Sequence, residues 1–299
     1  MIHGNYIDYV ETSGLDSVTQ YELWWAIWSS IDKINFHELQ WTLGRHAKFV
    51  EHFVPLTFLG NHDVTRVASQ ISDPRHWSHA VALLGFLPGV PCVYYGDEFG
   101  LEAVKENRPS GDDAVRPEMP KDRWLFTHSH PEVEQVYRRM IGLRRRNSWL
   151  VDAVIETQQV ENASLIIRAR ARHGEQSLAL ALNLTGEPFA LADSVEVLEA
   201  EPAVADGAVA PHGWAVISGL RPARVRRSND QRPLRRLMGG AVTRRQVRPT
   251  TTAGCAARTG RPLRSGGIGT SWSWSPRRSS RAAPAGAGRR WRGRRRPRA

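Results

Sequence analysis

The stretch that decides the fold is Phe53-Val54-Pro55-Leu56-Thr57-Phe58-Leu59-Gly60, which runs directly into Asn61-His62-Asp63. A nearly continuous apolar run of this length is typical of a strand buried on both faces. The next such run, Cys92-Val93-Tyr94-Tyr95, leads into Gly96-Asp97-Glu98. Because functional groups in (β/α) barrels gather where parallel strands end, this pattern predicts an α/β fold with carboxylates and an imidazole on one rim.

Asp63 and Asp97 also have a simpler interpretation. An aspartate that follows a strand often caps the next helix. Capping is a serious alternative at Asp97, but it explains three consecutive polar residues at 61–63 less well. The rim interpretation is therefore favoured at Asp63 and left open at Asp97.

Helical periodicity flanks both apolar runs. Apolar residues recur at three- and four-residue spacing over 22–31, and similar patterns predict helices over 35–49, 80–86 and 136–146. A short β-branched and aromatic stretch at 17–21 predicts a strand before the first helix.

Three tryptophans, Trp24, Trp25 and Trp28, lie on the first predicted helix. A tryptophan on an amphipathic helix usually fills volume, so core packing is the favoured interpretation. A platform for sugar rings is the alternative.

The pattern changes after residue 149. Short alternating stretches at 164–170, 177–183 and 213–218 predict strands, with a turn at 183–187. A small antiparallel β domain is therefore expected after the βα portion.

The segments 58–63 and 89–98 resemble two sequence regions of the α-amylase family of glycoside hydrolases (family 13), and they occur in the family's order. Together with the β domain, the resemblance extends over about residues 4–219. It implies a retaining mechanism on α-linked glucosides, with an α-glucan or maltooligosaccharide as substrate. Such enzymes use a carboxylate nucleophile and a carboxylic acid about 5–5.5 Å apart around an oxocarbenium-like transition state.

The resemblance also implies site residues. Asp63 matches a third carboxylate, which stabilises the transition state, and His62 matches the histidine beside it that hydrogen-bonds the same sugar ring. Asn61 is similar to a positioning residue. Asp112 and Arg116 are similar to an Asp-x-x-x-Arg segment that grips a neighbouring sugar, although an internal ion pair explains those two equally well.

The family's nucleophile and acid both precede the segment that residues 2–6 resemble, so the resemblance assigns neither to this chain. We expect about the last three strands of a (β/α)₈ TIM barrel, near 16–21, 55–60 and 91–95. Three strands cannot close a barrel, so open edges are expected at Ser17 and Cys92. The chain is accordingly expected to be an inactive fragment or a non-catalytic carbohydrate-binding remnant.

The predicted domain organisation has three parts. A partial barrel is expected first, then a small antiparallel β-sandwich, then a disordered tail; the three occupy 1–148, 149–220 and 221–299.

Charge is divided sharply between body and tail. Residues 222–299 hold 22 Arg and one acid, a net charge of +21, while residues 1–221 hold the other 19 bases and 29 acids, a net charge of −10. A tail rich in Arg, Gly, Ala and Pro buries too little apolar surface to fold. The favoured interpretation is the product of a shifted reading frame after about Leu220. The alternative is a nonspecific nucleic-acid-binding arm, with tryptophans that stack on bases.

Several other classes are excluded by composition. No stretch approaches the roughly 20 apolar residues of a membrane span, and the first residues lack a secretory signal, so a cytoplasmic location is expected. Cys92 and Cys255 lie on opposite sides of the change in composition, which argues against a disulfide scaffold. No metal and no cofactor are expected, because the histidines show no ligand spacing and the family's calcium site draws mainly on segments outside this chain.

Overall fold

A computed structural model of the protein describes residues 6–122, 130–191 and 195–219. All of them lie within one compact unit, Met1–Asp230. The described helices are α1 (Tyr6–Ser13), α2 (Tyr21–Asp32), α3 (Phe36–His52), α4 (Val67–Gln70), α5 (Trp77–Phe86) and α6 (Pro131–Arg146). The described strands are β1 (Leu56–Phe58), β2 (Val90–Cys92), β3 (Val154–Val160), β4 (Ser164–Arg170), β5 (Ser177–Asn183), β6 (Phe189–Ala190), β7 (Glu196–Glu201), β8 (Ala208–Val209) and β9 (Trp214–Ser218).

The four helices predicted from periodicity are present as α2, α3, α5 and α6, and each extends beyond its predicted range. Helices α1 and α4 and strands β3, β6, β7 and β8 were not predicted. Strands β6 and β8 have two residues each, too few to show an alternating pattern.

The predicted strand at 17–21 is wrong in extent. It is reduced to one parallel bridge between Thr19 and Leu56. The chain turns into α2 at once, because the side chain of Gln20 accepts hydrogen bonds from the backbone N–H groups of Glu22 and Leu23 at 3.1 and 3.4 Å. These bonds satisfy two of the donors that the start of a helix leaves without partners.

Strands β1 and β2 pair in parallel, with Leu56 opposite Val90 and Phe58 opposite Cys92. The prediction of a second buried strand at 92–95 is wrong. The strand lies two residues earlier, and Val90 is 47% exposed. Among the described residues β2 pairs with β1 alone, and Cys92 is exposed and free.

The antiparallel sheet has the order β3-β4-β5-β9-β7. Strands β4 and β5 have the predicted bounds. Their side chains alternate between two cores, as the two-residue period of a strand requires. One face of the sheet shares a core with helices α2, α3, α5 and α6, and the other face packs against residues around β6 and β8. The residues on the first face include Leu165, Ile167, Leu180, Trp214 and Val216. Those on the second face include Ile166, Ala179, Ala181, Ala215 and Ile217.

Two predictions about organisation are not decided by this architecture. Disorder was predicted for residues 221–299, which lie outside the described residues. The domain boundary at 148/149 stays a prediction. In the part of the chain that the structure describes, no helix is long and apolar enough to cross a bilayer.

Two buried histidines join the helices to their neighbours. His46, on α3, places its Nε2 atom 2.9 Å from the carbonyl oxygen of Pro88. His79, on α5, places its Nε2 atom 3.1 and 3.0 Å from the carbonyl oxygens of Asn183 and Gly213. Burial lowers the pKa of His46 to about 4 and that of His79 to about 3, against the opposing effect of these hydrogen bonds.

The low pKa of His46 makes the fold sensitive to acid. As the pH falls below 6.5, the unfolded chain takes up a proton at His46 and the folded chain does not until about pH 4. The contribution of this group to the free energy of unfolding should therefore decrease by about 1.4 kcal/mol per pH unit in that interval. The measurement is urea unfolding of the wild type and of His46→Gln, a variant that keeps an N–H donor, at pH 7, 6 and 5.

We expect the stability difference between wild type and His46→Gln to shrink as the pH falls. His37→Gln is the control, because that side chain is exposed on the same helix. A difference that stays constant across these pH values would contradict the burial argument.

Candidate functional site

The loop that follows β1 is held by aromatic side chains of α2 and of the strand. Trp24 donates from Nε1 to the carbonyl oxygen of Leu59 at 2.9 Å and stacks on Phe58 with ring centroids 6.0 Å apart. Tyr21 packs edge-on against the same phenyl ring at 5.0 Å and accepts a 2.9 Å hydrogen bond from Nδ2 of Asn61. The end of the strand is therefore fixed before its polar residues begin.

Gly60 is where this loop passes closest to the end of β2. A Cβ atom at this position would collide with the carboxylate of Asp97. The absence of a side chain therefore lets the two strand ends approach each other.

Asn61, His62 and Asp63 form one turn after the strand. Oδ1 of Asn61 accepts a 2.8 Å hydrogen bond from the backbone N–H of Asp63, which is an Asx turn. Nε2 of His62 lies 3.3 Å from Oδ2 of Asp63. The side chains of His62 and Asp63 are 61% and 46% exposed, so both can reach a ligand.

The side chain of Arg116 contacts this turn and another predicted site residue. Its Nε donates to the carbonyl oxygen of His62 at 2.8 Å, and one terminal nitrogen donates to Oδ1 of Asp63 at 3.0 Å. The same nitrogen pairs with Asp112. The structure thus brings all five predicted residues together, with Asn61 joined through Asp63. The ion pair considered for Asp112 and Arg116 is present, and their grip on a sugar stays a prediction.

Sequence reasoning missed Arg66. Its side chain is fully buried, and one terminal nitrogen donates to Oδ1 of Asp97 at 2.8 Å and to the carbonyl oxygen of Tyr95 at 2.6 Å. The other donates to the carbonyl oxygen of Val115 at 2.9 Å. Arg66 follows Asp63 by three residues, but nothing in the local pattern indicates that this arginine is buried.

Two tyrosines complete the enclosure of Arg66. The guanidinium carbon lies 4.3 Å from the ring centroid of Tyr94 and 5.2 Å from that of Tyr95, so both rings make cation–π contacts. The hydroxyl groups of the tyrosines donate to the carbonyl oxygens of Val115 and Pro117 at 3.3 and 2.6 Å. These bonds fix the segment that carries Arg116.

Asp97 departs from both interpretations considered for it. It is 2% exposed, so it does not lie on an accessible rim, and the short 3₁₀ helix Asp97–Phe99 has Gly96 as its N-cap residue. Burial raises the pKa of Asp97 to about 6, against the opposing effect of the Arg66 guanidinium. Its role in the described structure is to pair with Arg66.

The three tryptophans of α2 differ in burial, and the interpretation as a platform for sugar rings stays a prediction. Trp28 packs against the main core, as favoured, and Trp24 is half-buried against Phe58. Trp25 is 47% exposed. It donates from Nε1 to Glu38 at 3.2 Å and contacts Lys33, so it is an ordered surface residue.

Among the described residues, Asp73, His76 and His212 form a group with the donor atoms to hold a metal ion. None of the five predicted site residues belongs to it.

Comparison with known proteins covers the part of the chain that carries this cluster. The sequence model of the α-amylase catalytic domain matches residues 7–123, which carry β1, β2 and the cluster around Asp63. Residues 7–123 are therefore similar to the catalytic domain of the α-amylase family.

Two relatives show how much of the family's length is represented. Alpha-amylase 2 of Schizosaccharomyces pombe is 26% identical over 166 residues, which cover 54% of this chain and 26% of that protein. The 4-alpha-glucanotransferase of Thermotoga maritima is 23% identical over 187 residues, which cover 54% of this chain and 41% of that protein. The chain therefore spans less than half the length of these α-amylase-family relatives.

Solved structures share the fold at lower identity. The alpha-amylase from H. orenii has a TM-score of 0.57 at 17% identity, covering 71% of this chain and 50% of that one. The cyclomaltodextrin glucanotransferase CldA has a TM-score of 0.55 at 21% identity, and the match covers 74% of this chain and 48% of that one. The α/β fold class of α-amylases is confirmed by these neighbours, while the partial barrel and the β-sandwich remain predictions.

The pair of Arg66 and Asp97 should dominate the stability of this site. Arg66→Met leaves a buried carboxylate without its partner, and such a change costs about 3–5 kcal/mol. Denaturant unfolding should show a loss of this size, and the double variant Arg66→Met/Asp97→Leu should lose less than the two single variants together.

Arg138→Met is the matched control, because that arginine is 68% exposed and pairs with Glu134 on the surface of α6. It should cost less than about 1 kcal/mol. If Arg66→Met costs no more than this control, the buried pair is not what holds the loops.

Proposed function

We propose that the described residues form the sugar-holding part of an active site for α-glucosidic linkages, with Asp63 as the carboxylate that stabilises the transition state. The observation that carries the proposal is the cluster at the end of β1. There, His62 and Arg116 fix the exposed carboxylate of Asp63 from two sides. The family assignment supports the same role for these positions.

The charge of the cluster suits this role. An oxocarbenium-like transition state develops positive charge on the sugar ring, and a fixed negative charge beside it lowers the barrier. Asp63 and Asp112 together carry two negative charges, while Arg116 supplies one positive charge. The cluster therefore keeps a net negative charge, and Arg116 orients Asp63 without cancelling that charge.

His62 and Asn61 complete the proposed arrangement. The imidazole of His62 is exposed beside Asp63, so an N–H of the ring can donate to a sugar hydroxyl that also contacts the carboxylate. Asn61 holds the backbone of Asp63 and is itself held by Tyr21, which makes it a positioning residue.

We further propose that these residues bind α-glucans without cleaving them on their own. Retaining hydrolysis needs a nucleophile and an acid, and the resemblance assigns neither role to a described residue. Asp112, which lies close to Asp63 through Arg116, is already committed to an arginine contact. A carboxylate held by arginine is suited to carrying charge, and not to donating a proton.

The substrate class follows from the family. The relatives are named as an alpha-amylase and a 4-alpha-glucanotransferase, and one structural neighbour is the alpha-amylase of Geobacillus thermoleovorans in complex with acarbose. We therefore propose an α-glucan or maltooligosaccharide ligand, with hydrolysis and glucanotransfer as the two reactions of the complete site. None of the comparisons supports nucleic-acid binding, and the arginine-rich residues proposed for it lie outside the described residues.

The sugar site can be tested by removing the charge of Asp63. Asp63→Asn should weaken maltotriose binding by about tenfold or more, because hydrogen bonds to a charged group contribute about 1.5–3 kcal/mol. Isothermal titration calorimetry measures the dissociation constant. Asp113→Asn, an equal change at an exposed neighbour in sequence, should change it less than about twofold.

Equal maltotriose affinity in the wild type and in Asp63→Asn would show that Asp63 does not contact the sugar. The Asp113→Asn control separates this result from a general loss of negative charge around the loop.

Catalysis is tested separately. With a nitrophenyl maltooligosaccharide as substrate, the full chain should release no nitrophenol above the buffer rate. Release of nitrophenol by the wild type that disappears in Asp63→Asn would overturn the proposal that the described residues do not cleave α-glucans on their own. The same result would support the role proposed for Asp63.

A further inference from the structure

A second polar cluster shares no residue with the proposed sugar site. His76 ends a short 3₁₀ helix, Pro74–His76, just before α5, and His212 lies in the loop between β8 and β9. Although 136 residues separate them in sequence, Nε2 of His76 lies 3.0 Å from Nδ1 of His212. Nδ1 of His76 lies 4.0 Å from Oδ2 of Asp73. The three residues can present donor atoms that all lie within 4.8 Å of one another.

The backbone of His212 is held in place by its surroundings. Its N–H donates to the carbonyl oxygen of Thr185 at 2.9 Å, and the next residue, Gly213, accepts from the buried His79. His212 has a φ of +53°, in the left-handed region that side chains other than glycine rarely adopt. Strained backbone of this kind persists where the surrounding structure imposes it, and such residues concentrate at functional sites.

Asp73 is also oriented. Its carboxylate caps the 3₁₀ helix by accepting from the N–H of Arg75 at 3.0 Å. The guanidinium of Arg75 binds both carboxylate oxygens, at 2.7 to 3.1 Å. The Arg75 side chain is 61% exposed, so it can swing into solvent and leave Oδ2 to another cation. Arg75 therefore acts as a competitor for the cluster.

The chemistry of these donors selects among cations. Two imidazoles and one carboxylate suit Zn²⁺ and similar transition-metal ions, while Ca²⁺ and Mg²⁺ prefer sites made of oxygen atoms. Tetrahedral zinc with bond lengths near 2.1 Å separates its ligand atoms by about 3.4 Å. The two histidine nitrogens lie 3.0 Å apart because they share a hydrogen bond. This hydrogen bond has to break, and the rings have to turn, before both lone pairs can point at one ion. Asp73 has to approach them, and its side chain is 32% exposed and therefore has room to move.

Of the three proposed ligands, His212 lines a cavity beside the cluster. Arg75 also lines this cavity of about 320 Å³, together with Pro74, Trp77 and His130. A water molecule in this cavity can complete a four-coordinate ion, as in zinc sites with three protein ligands.

We propose that Asp73, His76 and His212 bind one Zn²⁺-like ion, which ties the segment before α5 to the loop before β9. The site shares no residue with the Asp63 cluster and does not depend on the proposed function. Its role is structural, because it joins the helices of the βα portion to the antiparallel sheet across their shared core.

The test titrates the full chain with Zn²⁺ by calorimetry, with Ca²⁺ and Mg²⁺ in parallel. His212→Gly removes the imidazole and suits the positive φ. Asp73→Asn keeps a capping side chain and removes the charge. Each should weaken Zn²⁺ binding by at least about tenfold. Arg75→Ala removes the competitor and should tighten it, while His173→Ala, at an exposed histidine, should leave it unchanged.

Saturable binding of one Zn²⁺ with this pattern of variants, and a melting temperature that rises with Zn²⁺, supports the site. Zn²⁺ affinity that is the same in the wild type, His212→Gly and Asp73→Asn overturns it. So does binding of Ca²⁺ or Mg²⁺ as tight as that of Zn²⁺. Because Arg75→Ala is expected to act in the opposite direction, a variant that merely unfolds cannot imitate the result.

Discussion

The buried pair of Arg66 and Asp97 is the interaction on which the rest of the site depends. Neither side chain contacts solvent, so each charge has lost its hydration and is stable only beside the other. Through its remaining donors, Arg66 also binds backbone oxygens of Tyr95 and Val115. One guanidinium thereby fixes three chain segments at the ends of the two parallel strands.

This arrangement explains why the proposed sugar site is both exposed and ordered. The segment that carries Arg116 is attached to the buried pair through Val115 and through the hydroxyl groups of two tyrosines. Arg116 can therefore reach outwards and hold Asp63 while the carboxylate stays accessible. A preorganised binding group needs a rigid scaffold and a functional group that stays exposed to the ligand. The electrostatic roles divide in the same way, since Asp97 balances a structural arginine and Asp63 faces solvent.

The junction with the antiparallel sheet follows a different principle. Helices α2, α3, α5 and α6 share one apolar core with a face of that sheet. One buried polar side chain crosses this junction at His79, which donates to two backbone carbonyls of the sheet. A buried neutral imidazole can accept or donate without bringing charge into the core, but it makes the junction vulnerable to acid. The cluster of His76 and His212 lies at the same junction.

The sequence alone determined the α/β order, four helices and strands β4 and β5, because hydrophobic periodicity is a local property of the chain. It also pointed to Asn61, His62 and Asp63, since polar residues after an apolar run are visible in one dimension, while Asp112 and Arg116 were named through the family resemblance. Tertiary structure decided the rest. The capping by Gln20 shortened a predicted strand, burial changed the role of Asp97, and Arg66 and His212 acquired partners 31 and 136 residues away. Desolvation and long-range contact depend on how distant segments pack, and no local pattern of residues encodes them.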